Sequence, residues 1–330
     1  MMNKAWWQCS LRLGVIPMAA LAVTLATGQA LPFLIPMFIV IMLMLSPTRL
    51  PLMMIVRMLA LIVGCTALIC FLAHVVGTNP VAFWLAMAAV VVLAFARLGK
   101  NPDDLPGLLV LIVSSMTMVL VQSQPSLVLA LPVLMGKAFL IAYLWCLLAF
   151  AIWPRSSPPL TPLTAMRGDE RVMLILGKSA ALLLAIGIAI WLQDSSAILI
   201  GATIANLLRA SDPHLTRMNS KPLLQANLLA AALATPVILL AYISQSPLIL
   251  SLLALAGSIW LAGRLAAAWP KVVVQTAMTV YITLLGTALP QYQQGLHLVW
   301  DRLATLLLVV LYCTLVVHLL TTSTDKSCPA

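Results

Sequence analysis

Charged side chains are scarce in this 330-residue chain. Only 8% of the residues are Asp, Glu, Lys or Arg, whereas a soluble domain carries about 25%. Hydrophobic residues make up 63%, and the mean hydropathy is +1.11. Such a chain cannot cover a water-exposed surface, so the composition excludes a soluble globular domain. It predicts an all-α integral membrane protein, because helices satisfy their own backbone hydrogen bonds in a lipid bilayer.

Acidic residues are the scarcer of the two charge types. The chain has 8 acidic and 18 basic residues, which gives a formal charge of +10. The basic residues stand mostly singly at the ends of apolar segments and form no Lys/Arg run. Their distribution is that of membrane topology signals, and we expect no nucleic-acid partner.

Motifs for metal binding and for common catalytic chemistry are also missing. The six cysteines include no C-x-x-C pair, and the four histidines are scattered without metal-ligand spacing. The "GKS" at 177–179 lacks the earlier glycine of a phosphate loop, because Val172 stands at that position. We therefore expect no metal, no cofactor, no enzyme activity and no ATP-driven transport by this chain alone.

Long apolar runs fill most of the sequence. A span needs about 20 residues, and the runs predict about twelve spans. They lie near 13–28, 30–46, 52–75, 80–96, 105–122, 127–153, 172–192, 195–209, 222–243, 246–263, 270–289 and 296–320. The N-terminus also resembles a signal peptide ending near "ATGQA", but the apolar sequence continues, which favours an uncleaved first span.

Basic residues occur in alternate connections only. "SPTRLP", "RLGKNPDDLP" and "RASDPHLTRMNSK" carry them, whereas "HVVGTNP", "QSQPS" and "ISQSP" do not. The positive-inside rule places both termini in the cytoplasm, which requires an even number of spans.

A proline-rich stretch, "PRSSPPLTPLTAMRGDER", divides the chain into two similar halves. We predict a first six-helix half at 1–153, a cytoplasmic linker at 154–171, a second six-helix half at 172–320 and a tail at 321–330. "LAMAAVVVLAFARLGKNP" and "LALAGSIWLAGRLAAAWP" begin 168 residues apart and predict an internal duplication. Six spans per half would give the two repeats the same orientation in the membrane.

The last span of each half contains one cation, Lys137 in the first half and Arg302 in the second. A charge at the bilayer centre costs about 2.5–3.5 kcal/mol, so such residues often mark a substrate path. We predict that both face a cavity and bind an anionic substrate. The alternatives are that Lys137 snorkels to the interface and that Arg302 anchors its helix there. Asp301 is the proton-coupling candidate, since it is the one acidic residue inside a predicted span.

Polar residues in two other pairs of spans are further candidates for substrate binding. In the first half, Pro36 interrupts the second span. In the second half the second span is short, and Thr203 and Asn206 lie on one face of it. Interrupted or short spans at corresponding positions often mark the binding site of a transporter. In the eleventh span, a stripe of threonines that includes Thr279 and Thr283 predicts a polar path. Ordinary hydrogen bonding between helices is the alternative for both sets.

Three stretches carry a resemblance to a known family. They are "LRLGVIPMAALAV" and "LGKSAALLLAIGIAI", each with a cation at the start of a half (Arg12 and Lys178), and "WDRLATLLLVVLY" near the end. The chain resembles the fusaric-acid-resistance and aromatic-acid-exporter family of bacterial inner-membrane proteins. It resembles a short branch, because it lacks the large cytoplasmic domains of many members and the glycine that often follows the equivalent of Arg302.

The resemblance implies proton-driven export of small, often aromatic, carboxylic acids across the inner membrane. It also implies a periplasmic membrane-fusion adaptor and a possible homodimer. The intramembrane cations fit an anionic substrate independently. The alternatives are a non-transporting membrane scaffold of an efflux assembly and, less in keeping with the few acids and histidines, an intramembrane enzyme acting on lipid.

Overall fold

The structure is a computed structural model of the whole chain. It describes residues 4–29, 31–45, 48, 51–77, 79–100, 104–123, 125–154, 171–191, 213–244, 246–264 and 271–290. It also describes the single positions 204, 208, 304, 308, 311, 312, 315 and 316.

Within these ranges the chain forms ten helices and no strand. They are α1 (Lys4–Ala26), α2 (Leu34–Leu45), α3 (Leu52–Val76), α4 (Pro80–Lys100), α5 (Leu105–Ser123), α6 (Pro125–Ile152), α7 (Arg171–Trp191), α8 (Pro213–Ile243), α9 (Pro247–Gly263) and α10 (Lys271–Ala288). The predicted all-α architecture is confirmed for the described residues. The predicted spans at 195–209 and 296–320 lie almost entirely outside them.

Five of the helices are long and apolar enough to cross a membrane. The qualifying segments are Trp6–Ala26, Leu52–Val76, Pro80–Lys100, Leu127–Ile152 and Val172–Trp191. The apolar segments of the other five helices are shorter, at 10–17 residues. The protein is therefore a helical membrane protein, as its composition predicts.

The first helix begins earlier than the apolar run suggests. The sequence predicts a start near residue 13, whereas α1 begins at Lys4 and continues to Ala26. Cys9 and Ser10 in these first turns are buried, and the Ser10 hydroxyl donates to the carbonyl of Ala262 in a neighbouring helix. As a result, Arg12 lies inside the helix and not in a loop before it.

Pro36 does not interrupt the second span. Helix α2 begins at Leu34, so Pro36 lies in its first turn, where the missing N–H has no partner to lose. The amide of Met37 donates to the carbonyl of Phe33 across this turn. The prediction of an interruption is therefore wrong at this residue, and the helix is short, with 12 residues.

The chain folds into two compact units, and neither is continuous in sequence. Unit 1 comprises residues Met1–Leu59, Lys137–Thr161 and Pro222–Ala304. Unit 2 comprises Ala60–Gly136, Pro162–Lys221 and Thr305–Ala330. Each unit thus combines segments from both predicted halves.

In unit 1, α1 packs closely along α9 in an antiparallel direction. Ser10 donates to the carbonyl of Ala262 (3.3 Å), and Ser258 donates to the carbonyl of Gly14 (2.8 Å). Gly14 has no room for a side chain, since a Cβ there would lie 2.8 Å from the Cα of Ile259. Small residues let two membrane helices approach in this way. Helices α2 and α10 complete the core of unit 1, against α1 and against each other.

In unit 2, α7 packs against α4 and α5. Buried residues of α4 recur along one face: Phe83, Met87, Val91, Ala94, Phe95 and Leu98. In the last turn of α4, Arg97 forms an ion pair with Asp104 at 2.9 Å, and Asp104 also accepts from the amide of Gly107. This carboxylate therefore caps the first turn of α5.

The two units use corresponding helices of the predicted halves. In unit 1 the first helix of the first half, α1, contacts the fourth and fifth helices of the second half, α9 and α10. In unit 2 the first helix of the second half, α7, contacts the fourth and fifth helices of the first half, α4 and α5. The fourth and fifth helices also contact each other in both units.

Candidate functional site

Lys137, predicted to bind substrate, lies on the exposed face of α6. Its side chain is exposed. The same face carries the exposed aliphatic residues Leu129, Val133, Leu140, Leu144 and Leu148 at helical spacing. Within the described part of the chain, Lys137 therefore stands in a stripe of apolar residues that faces away from the packed helices.

Thr279 and Thr283 of α10 are buried, as a lining of an internal path requires, but their hydroxyls bond within the helix. Thr279 is 7% exposed and Thr283 is 4% exposed. Thr279 donates to the carbonyl of Gln275, and Thr283 donates to the carbonyl of Thr279. The oxygen of each hydroxyl keeps acceptor capacity. Their role in substrate binding stays a prediction.

Four of the predicted site residues lie outside the described residues: Thr203, Asn206, Asp301 and Arg302. Their roles therefore stay predictions.

Two buried cations stand out in the described residues. The side chain of Arg12 in α1 is 2% exposed, and that of Lys178 in α7 is 3% exposed. Both residues stand at the start of a predicted half, and neither is among the predicted site residues. The sequence pattern did not indicate that the helix continues on the N-terminal side of Arg12. This continuation places the charge of Arg12 among the packed helices.

The guanidinium of Arg12 is held by the end of α6. Its Nη1 donates to the carbonyl oxygen of Trp153 at 3.3 Å, and its Cζ lies 4.4 Å from the ring centroid of Phe150. The carboxyl end of a helix carries partial negative charge, and the face of an aromatic ring attracts cations. Both contacts orient the guanidinium.

A second arginine lies at the same end of unit 1. Arg264 follows the last residue of α9, and its Cζ lies 4.1 Å from the ring centroid of Trp260. The Ser10–Ala262 hydrogen bond places the end of α9 beside the beginning of α1. Arg12, which is buried, and Arg264, which is half-buried, thus both lie at the end of unit 1 where α1 begins and α6 and α9 end.

Metal binding is not supported by the described residues. They contain no group of three or more His, Cys, Asp or Glu side chains that would hold a metal ion. At the Arg12 end of unit 1 the charged groups are guanidiniums, whose donors match the geometry of a carboxylate.

Comparison with known proteins gives a match to the first part of the chain. A family model described as "Protein of unknown function (DUF2955)" matches residues 9–149. The match runs from Cys9 in α1 to Ala149 in the last turn of α6, so it covers the first six helices and less than half of the chain. No curated protein and no solved structure matches the chain.

Proposed function

We propose that this protein is a secondary exporter of small organic anions in the bacterial inner membrane. The observation that carries the proposal is the buried guanidinium of Arg12 inside a membrane-spanning helix. A permanent positive charge at such a place is costly, and function is a common reason for keeping it. The substrate class is the carboxylic acids, and aromatic ones are those that the resemblance implies.

The surroundings of Arg12 suit a binding residue. Phe150 and the carbonyl of Trp153 orient the guanidinium before an anion arrives, so little side-chain freedom remains to be lost on binding. Arg264 adds a second positive charge at the same end of unit 1, which raises the local concentration of anions. Lys137 and Arg302 remain proposed further cations on the route outward.

The number of spans, the repeats and the orientation in the membrane are part of the same proposal. We infer twelve spans in two six-helix repeats of equal orientation, with both termini in the cytoplasm. The corresponding contacts of α1 and α7 support a duplication, and so does a family match that ends with the sixth helix. Proton drive, a periplasmic membrane-fusion adaptor and a homodimer are proposed from the resemblance. Asp301 is proposed as the coupling residue because it is the one acidic residue inside a predicted span.

Efflux of radiolabelled carboxylic acids from loaded bacterial cells tests the proposal. Cells expressing the protein with the adaptor encoded beside it are compared with cells carrying an empty vector, with and without a protonophore. We expect protonophore-sensitive efflux of at least one acid and its loss in Arg12→Gln at equal membrane abundance. Lys137→Gln and Arg302→Gln, measured in parallel, decide whether those cations also take part.

A structural role of Arg12 needs a control, because its contacts also hold α1 to α6. Arg12→Lys keeps the charge, so it should fold and retain part of the efflux. Absence of efflux of every acid, with the adaptor present and the wild-type protein folded, would reject the exporter and favour the membrane scaffold.

A further inference from the structure

We propose that Lys137 binds amphipathic carboxylic acids that reach the protein through the lipid bilayer. The ammonium group of Lys137 binds the carboxylate, and the aliphatic chain of the acid lies along the exposed leucines of α6. The inference rests on the proposed function, because it names a substrate class and its route of entry. The substrates are acids with an apolar chain, taken from the membrane.

Lys137 lies near the middle of a membrane-crossing helix. It stands twelve residues after Pro125 and fifteen residues before Ile152, the two ends of α6. These separations correspond to about 18 Å and about 22 Å along the helix axis. A lysine near a helix end reaches the membrane interface with its flexible side chain, whereas this one begins in the interior of the span.

The face of α6 opposite to Lys137 is the one that packs within unit 1. Phe139 contacts Phe38 of α2 edge-to-face, with ring centroids 5.8 Å apart. Cys146 Sγ lies 3.9 Å from Met42 Sδ of the same helix α2. Cys146 follows Lys137 by about two and a half helical turns, so the two side chains leave α6 in opposite directions. An anion therefore reaches Lys137 from the membrane and not from the packed interior of unit 1.

A charged residue inside a span usually pairs with an opposite charge of the protein. Lys137 has no such partner on its own helix, because α6 contains no Asp or Glu. Within the described part of the chain, no carboxylate forms an ion pair with it. Its neighbours one turn away along α6 are all apolar: Val133, Leu134, Leu140 and Ile141. An acid dissolved in the bilayer would supply the missing negative charge.

The surface beside Lys137 is aliphatic. Exposed leucines follow it on the same face of α6 at intervals of three, four and four residues: Leu140, Leu144 and Leu148. The distance from Lys137 to Leu148 along the helix axis is about 16 Å. One ammonium group at the head of a row of leucines matches a molecule with one carboxylate and one aliphatic chain.

The aliphatic chain also determines where the acid comes from. Each methylene group increases partition into the bilayer, so an amphipathic acid is concentrated around α6 and a small hydrophilic acid is not. The attraction between ammonium and carboxylate is stronger in lipid than in water, because the dielectric constant is lower. A phospholipid carries its charge in the headgroup region, about 15 Å from the centre of a hydrocarbon core about 30 Å thick. A free acid therefore matches the depth of Lys137 better than a phospholipid does.

Photolabelling of the purified full-length protein in phosphatidylcholine nanodiscs tests the inference. The probe is dodecanoate with a diazirine in its chain, and mass spectrometry identifies the labelled peptides. We expect labelling of α6 between Leu140 and Leu148. At a subsaturating probe concentration, Lys137→Met should lower this labelling about tenfold, the effect of losing a hydrogen bond between charged groups.

Two further variants are the controls. Lys137→Arg keeps the positive charge and should retain most of the labelling. Lys100→Met removes an exposed lysine at the end of α4 and should leave the labelling of α6 unchanged. Unchanged labelling in folded Lys137→Met would overturn the inference, and so would an equal loss in Lys100→Met.

Two other ligands distinguish the acid from competing occupants of the same face. The diazirine alcohol of equal chain length carries no charge and should label wild-type α6 no more than the acid labels Lys137→Met. Phosphatidylglycerol, added to the nanodiscs, should not displace the acid. Equal labelling by the alcohol would mean that apolar contact alone holds the probe. Displacement by phosphatidylglycerol would assign Lys137 to a lipid headgroup, and either result would overturn the inference.

Efflux from loaded cells separates this inference from the proposed function. We expect Lys137→Met to reduce efflux of dodecanoate more than efflux of benzoate, because only the former acid carries an aliphatic chain. Efflux of benzoate by the wild-type protein without labelling of α6 by dodecanoate would reject the inference and leave the exporter intact. Labelling that depends on Lys137, without efflux of any acid, would reject the exporter and leave the binding at Lys137 intact.

Discussion

Single residues set how closely the helices of unit 1 approach. Gly14 lies against the backbone of Ile259, whereas Gly64 in α3 has open space where a Cβ would be. Both are glycines inside apolar helices, so the sequence does not distinguish them. The difference lies in the neighbouring helix: α9 crosses α1 at Gly14, and within the described residues nothing lies within 4 Å of a Cβ at Gly64.

We expect Gly14→Ala to destabilise the protein by about 1–3 kcal/mol, the usual cost of inserting a methyl group into a packed interior. Gly64→Ala is the matched control and should be neutral or stabilising, because alanine favours the helix. The measurement is the thermal unfolding midpoint in detergent, followed by size-exclusion chromatography. A Gly14→Ala midpoint equal to that of Gly64→Ala would contradict the close contact of α1 and α9.

At the same scale, the charged residues show what a sequence conveys about a site. Lys137 is predicted to bind substrate because it is a single charge within a long apolar run. Arg12 stood before the apolar run and resembled a topology signal, yet it is the buried one. Arg12 is buried because α1 begins eight residues before it. A sequence specifies the start of a helix poorly, so this burial could not be predicted.

At the scale of an element, α6 is a long helix with a charge on its outer face. The helix has 28 residues, and Lys137 stands twelve residues after its first residue. The aliphatic stripe around it is suited to lipid or to another apolar surface. A charge in that stripe opposes insertion of the helix into the membrane.

Replacing this charge should improve insertion of α6. We expect Lys137→Leu to lower the apparent free energy of insertion of segment 127–152 by about 2–3 kcal/mol, near the cost of a central lysine on insertion scales. Glycosylation mapping of the segment in a reporter protein measures it. Ala138→Leu adds apolar surface without removing a charge and should have a much smaller effect. A similar gain in both variants would mean that Lys137 lies near the interface, with little insertion cost.

At the scale of the whole molecule, contacts between helix ends can be compared with the predicted topology. Within unit 1, the hydrogen bonds of Ser10 and Arg12 place the beginning of α1 beside the end of α9 and the end of α6. The predicted orientation puts all three ends on the cytoplasmic side. Loop charges and helix contacts, two independent observations, are thus consistent with one topology.

Cysteine cross-linking tests this arrangement. In a variant with every native cysteine changed to serine, Ser10→Cys with Ala262→Cys should form a disulfide, because the Ser10 hydroxyl reaches the Ala262 carbonyl at 3.3 Å. Ser10→Cys with Ser251→Cys is the control, since about 16 Å of helix separates residues 251 and 262. An impermeant thiol reagent added to intact cells should not label the Ser10→Cys variant. Cross-linking in the control alone would overturn the antiparallel packing.

The sequence by itself determined that the chain is a helical membrane protein and where most of its helices lie. Length and hydropathy suffice for that, because lipid allows few solutions for a buried backbone. It also suggested two related halves. The tertiary structure alone decided that each compact unit combines helices of both halves and that Arg12 is buried against the end of α6. Hydropathy describes the contact of a helix with lipid, whereas these features depend on contacts between helices far apart in sequence.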